Sequence, residues 1–152
     1  MIISGKDLAA KLKAQMAEDV ATFPEKYGRA PHLVVILVGE DPGSRTYVRN
    51  KAKACEEVGI RNTTIRLPVS TPEQELLDTI AALNADDSVD GILVQLPLPR
   101  HIDEDKVIAA IAPEKDVDGF HPENVAALFQ GRPCTVPCPP KAVMKLLEAY
   151  GI

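Results

Sequence analysis

The chain has 152 residues, enough to bury one good core and so to form one domain. Its apolar fraction of 45% is ordinary for a globular protein, and a formal net charge of −5 with no basic arm argues against non-specific nucleic-acid binding. No long uncharged apolar stretch suits a membrane span and the start, MIISGKDLAAKLKAQMAEDV, has no signal-peptide core, so a cytoplasmic location is expected.

Residues 4–26 read as a helix, capped by Ser4, with Leu8, Leu12, Met16 and Val20 on one face. Pro24 and Gly28 are expected to end it. LVVILV (33–38) is apolar at every position, as a strand buried on both faces of a parallel sheet would be. After Gly39 the chain turns through Asp41-Pro42-Gly43 and enters a helix, for which Ser44 is the expected N-cap. Val48, Ala52 and Cys55 form its buried stripe, and Tyr47, Lys51, Ala54 and Val58 the neighbouring one. Tyr47 and Lys51 therefore point the same way. They read either as a substrate platform or as an ordinary helix margin with a snorkelling lysine.

Gly59 closes that helix. NTTIRLP (62–68) suggests a second strand nearer an edge, and Thr71-Pro72-Glu73 starts a helix whose apolar face is Leu76, Leu77, Ile80 and Leu83. GILVQLPLP (91–99) reads as a third strand. Asp103 opens a short acidic-ended helix, Pro122 and Gly131 bracket another, and a last helix runs from about Pro140 to Tyr150 with Val143, Leu146, Leu147 and Tyr150 inward. The alternation of strand and helix predicts a parallel sheet with helices on its faces, and ligands beyond the carboxyl ends of its strands.

Several residues could carry chemistry there. Gln95 is polar inside an apolar run, so its amide needs partners: it either ties down the chain at Pro97 or serves a ligand. Asp116-Val117-Asp118-Gly119 reads as an Asx-type turn with glycine at positive φ, or as a carboxylate placed to accept from an amidine-like N–H pair. Cys55, Cys134 and Cys138 make no disulfide framework, and Cys134, Cys138 and His121 lack a fourth zinc ligand, so no metal is expected. His32, His101 and His121 read as loop residues. There is no G-x-S-x-G, Walker loop, G-x-G-x-x-G or H-E-x-x-H.

Taken together, VGEDPGSRTYVRNKAKACEEVGI, DGILVQLPLPRHID and PEKDVDGFHPENVAAL resemble the bacterial bifunctional methylenetetrahydrofolate dehydrogenase/cyclohydrolase family, in that family's order and spacing. The resemblance implies a three-layer α/β/α domain with a mainly parallel sheet of about four strands, like the N-terminal domains of amino-acid dehydrogenases. It implies oxidation of 5,10-methylenetetrahydrofolate to the methenyl cation with NADP, then hydrolysis to 10-formyltetrahydrofolate. Position by position, Lys51 matches the catalytic lysine, Gln95 the amide partnering it, and Asp118 the carboxylate that holds the pterin. Tyr47 matches the aromatic that stacks on the folate, and Val94 and Leu96 flank Gln95 in the substrate site. A positive methenyl neighbour and partial burial would favour the neutral amine of Lys51, able to act as base toward water. Arg45, Arg49 and Lys53 would either attract an anionic folate tail or form a solvated face.

Family members continue into a Rossmann domain that binds NADP, so the resemblance implies that residues 1–152 are the folate-binding catalytic domain and hold no cofactor themselves. An intact homodimer and a monomeric fragment are the matching expectations. Pro139 and Ala142 stand where the family's P-C-T-P-x-G pattern has threonine and glycine. Two other readings remain open: a stand-alone folate-binding module, and the substrate domain of an amino-acid or shikimate dehydrogenase.

Overall fold

Strand β1, His32–Val38, is the middle of a three-stranded parallel sheet ordered β2-β1-β3, with β2 at Arg61–Leu67 and β3 at Gly91–Val94. The computed structural model describes residues 3–152. Because side chains alternate across a strand, an all-apolar β1 supplies two cores. Val34, Ile36 and Val38 pack with Ile92 and Val94 against Leu76, Ile80 and Val107, whereas Val35, Leu37 and Leu93 pack against Val48. The first group lies under helices α3 (Glu73–Ala85) and α4 (Glu104–Ala110), the second under α2 (Pro42–Val58). Helix α1 (Gly5–Tyr27) packs outside α2 and touches the last helix, α6 (Cys138–Ala149); α5 is Pro122–Phe129. Each fully buried aliphatic side chain contributes about 1.5–3 kcal/mol.

The result is the three-layer α/β/α arrangement. Among the described residues its sheet has three strands, and at the place of a fourth Asp116 makes only an isolated parallel bridge to Ile92. β1 leads into α2 on one face and β3 leads toward α4 on the other, so the strands' connections part between β1 and β3. A crevice opens at such a switch point, beyond the strand ends.

Several local readings change. Asp41, not Ser44, caps α2: its Oδ1 accepts from the Ser44 amide at 2.7 Å, and Pro42 opens the helix. Pro at the first helical position fixes the start there, which leaves Ser44 inside and buried. Pro24 lies within α1, which continues to Tyr27 and closes at Gly28, φ +70°, whose backbone N–H donates to the Pro24 carbonyl. β3 stops at Val94; Gln95 still donates its amide to the Ile36 carbonyl at 2.9 Å, and the following Leu96–Pro97 peptide is cis. Val143 is exposed on α6, although Tyr150 turns inward and its hydroxyl accepts from the Ser4 amide at 2.8 Å. His32 is no loop residue: it opens β1, is buried, and sets its ring between Ser88 O and Thr63 Oγ1.

Candidate active site

Two of the residues singled out above meet directly. Lys51 is half-buried on α2 and its Nζ donates to Gln95 Oε1 at 3.1 Å. Helix α2 is laid across β1 by Val48 and Cys55, and Lys51, three residues past Val48, follows the same side toward β3. Gln95 stands just past the end of β3, held by its own amide on β1. Its Nε2 donates to Leu96 O at 2.7 Å, which fixes the side-chain amide so that the oxygen faces the lysine. One end of the Gln95 amide therefore secures the chain at Leu96, and the other meets the amine.

Asp118 comes from the loop running beside β3. Burial pushes its carboxyl up from the usual aspartate value; Lys51 pulls it down, and Asp116 pushes it up further. The Lys51 ammonium is thus close enough for its charge to be felt. Val94, Leu96 and Asp118 line one small cavity with Phe120. Tyr47 sits one turn before Lys51 on the same flank of α2 and is 65% exposed, an open aromatic face.

The loop's geometry depends on a residue that the sequence did not separate from its neighbours. Asp116 is buried, and its carboxylate accepts from the amides of Asp118 (3.1 Å), Gly119 (2.9 Å) and His121 (2.9 Å) and from Asn124 Nδ2 (2.9 Å). The DVDG segment is an Asx turn on its first aspartate, which leaves the second free for a ligand. Gly119 has φ +71°, and a Cβ there would lie 2.6 Å from Thr135 O. Residues 135–137 therefore cross directly over the turn. Pro139 falls in the first turn of α6, where its missing N–H costs nothing.

Arg45 and Arg49 do not join this group. They line a different cavity with Thr64 and Arg66 of β2, and Arg45 pairs with Glu40 at 3.0 Å. His121 caps α5, its Nδ1 accepting from the Glu123 amide at 3.1 Å.

A family model for the tetrahydrofolate dehydrogenase/cyclohydrolase catalytic domain matches residues 3–118. The chain belongs to this family. It is 58% identical over 151 residues to the bifunctional protein FolD of Acidiphilium cryptum, covering 99% of this chain and 53% of that protein. The crystal structure of the bifunctional FolD enzyme from Campylobacter jejuni superimposes with a TM-score of 0.96 at 50% identity, over 100% of this chain and 54% of that one. The Trypanosoma brucei FolD, solved with NADP cofactor and an inhibitor, matches with a TM-score of 0.94 at 38% identity, over 100% of this chain and 52% of that one. The chain thus spans about half the length of the FolD relatives it matches. The family match ends at Asp118, so it takes in Tyr47, Lys51, Val94, Gln95, Leu96 and Asp118.

Proposed function

We propose that this chain binds reduced folates and carries the hydrolytic half of a tetrahydrofolate dehydrogenase/cyclohydrolase reaction, opening the 5,10-methenyl cation to 10-formyltetrahydrofolate. The observation that supports it is the 3.1 Å bond from Lys51 Nζ to Gln95 Oε1, with a half-buried Asp118 near enough to feel the lysine's charge. A cation bound in the crevice disfavours an ammonium next to it, so the amine gives up its proton. The neutral amine keeps an N–H on Gln95 and turns its lone pair to water. It takes a proton as the water oxygen bonds to the methenyl carbon, giving a neutral carbinolamine. The bond from that carbon to N5 then breaks, N5 takes the proton back from Lys51, and the hydroxyl proton leaves to solvent. One water is consumed and one proton released. Asp118 holds the pterin by accepting from its N–H pair, and Tyr47 stacks on the ring system.

NADP would supply hydride acceptance in the preceding oxidation. The β1–α2 turn does not suit its pyrophosphate: the Asp41 carboxylate already occupies the free amide of Ser44, and a phosphate would meet an anion there. The cofactor is therefore not placed on this turn. The cytoplasm, where reduced folates circulate, is the proposed compartment; no helix among the described residues is long and apolar enough to cross a membrane.

The test is methenyl hydrolysis by the purified chain, followed by loss of the methenyl absorbance, in wild type and Lys51→Met. Hydrolysis that survives the substitution unchanged removes Lys51 from the chemistry. Binding of a small hydroxy or amino acid in preference to a pterin would favour the dehydrogenase-substrate-domain reading.

A further inference from the structure

We propose that Asp116, which touches no substrate, is the positioning residue for folate recognition: its buried carboxylate sets where Asp118 stands. This deepens the functional reading above and rests on its assignment of Asp118 to the pterin.

Asp116 is 3% exposed and accepts four hydrogen bonds. A carboxylate offers about four lone-pair positions, so none is left for a ligand. Three of the donors are backbone amides at 118, 119 and 121, on both sides of the Asp118 side chain. The fourth, Asn124 Nδ2, also donates to Pro113 O at 2.9 Å and so draws the two ends of the loop together. Hydrogen bonds to an ionised acceptor are about twice as strong as neutral ones.

The backbone of Asp116 is fixed in turn. Ile92 pairs with it, and the Ile92 amide donates to Lys115 O at 2.8 Å. Lys115 Nζ donates to the carbonyls of Leu83, Asn84 and Asp86 at the end of α3. The strand that leads into Gln95 therefore also carries the anchor of Asp118. Lys51, Gln95 and Asp118 are held in one frame by β3.

Asp116 also acts through its charge. Two charged residues bear on Asp118: Lys51 from α2, which favours its ionised form, and Asp116, which disfavours it. The groups facing it from β3 and α4, Ile92, Leu93, Val94 and Ile108, are apolar. Accepting from an N–H pair requires the ionised form, so burial first, and then Lys51 against Asp116, bear on the pH below which recognition fails.

The deciding variant is Asp116→Asn. Three measurements on it are carbon-13 NMR titration of the Asp118 carboxyl without ligand, amide hydrogen exchange at Gly119 and His121, and binding of 5-formyltetrahydrofolate. With the fold intact by circular dichroism, the Asp118 titration should move to lower pH and exchange should speed up. Binding at neutral pH should weaken at least about tenfold, as loss of a charged hydrogen bond implies. An unmoved titration together with unchanged exchange overturns the inference. If Asp116→Asn does not fold, Asn124→Ala decides, since it removes one donor and keeps the charge: faster exchange at Gly119 supports the inference, and unchanged exchange overturns it. If titration and exchange move as expected but wild type binds no folate, the functional reading falls while the hold of Asp116 over Asp118 stands.

Discussion

Lys51 and Gln95 lie 44 positions apart in the chain and are joined by a 3.1 Å hydrogen bond that runs from α2 to the residue just past β3. Neither partner is charged and buried alone, and the amide adds no charge of its own. Lys51→Met should lower methenyl hydrolysis by about 10²–10⁴-fold, the usual contribution of a proton-transfer group. Gln95→Glu should be nearly as damaging, because a carboxylate at that distance holds the amine as ammonium. Single-turnover hydrolysis rates check both, and a faster Gln95→Glu enzyme would contradict the proposed base.

Tyr47 offers a separation of binding from stability. Its ring is 65% exposed, so truncation leaves almost no cavity. Tyr47→Ala should leave urea unfolding unchanged within about 0.5 kcal/mol. Folate binding should weaken by about 1 kcal/mol, roughly fivefold, from lost stacking. Equilibrium titration beside a denaturation curve reads the two effects.

Asp118 makes folate binding pH-dependent. Burial raises its carboxyl above the usual aspartate range, with Lys51 opposing and Asp116 reinforcing. Recognition needs the carboxylate, so binding should be lost as pH falls through that raised value, earlier than for a solvated aspartate. The stability sign is opposite. An acid with a raised folded pKa contributes stability that is complete below its unfolded pKa and lost as pH rises through the folded one. Asp118→Asn should therefore be more stable than wild type at neutral pH while binding folate poorly. Thermal melts at acid and neutral pH test this, and a variant less stable at neutral pH would oppose it.

Gly119 has room for no side chain. Its φ of +71° strains any other residue, and a Cβ would press on Thr135 O at 2.6 Å, a backbone atom with nowhere to go. Gly119→Ala should cost at least about 2 kcal/mol and displace the segment at 135–137. Urea unfolding gives the cost; an unchanged midpoint would mean that the crossing segment gives way freely.

Much of this protein follows from local rules that a sequence carries by itself. The alternation of β1, α2, β2, α3 and β3 was legible because period-2 and period-3.6 patterns, and caps such as Asp103 and Gly59, act within a few residues. Gln95 stood out for the same reason, a lone amide in an apolar run. Even the misread start of α2 had a local signal in Pro42, one residue after the true cap.

Other features had no such signal. Asp116 and Asp118 look alike in DVDG, and only the fold points one carboxylate inward to four donors and the other toward Lys51. Arg45 and Arg49 neighbour Tyr47 and Lys51 in sequence yet line another cavity, because α2 divides its two flanks between β2 and β3. Sequence thus determined the elements and the family's residue types, since those depend on near neighbours. Which side chains share a crevice was decided by the order of the strands, which brings together groups that no short-range pattern connects.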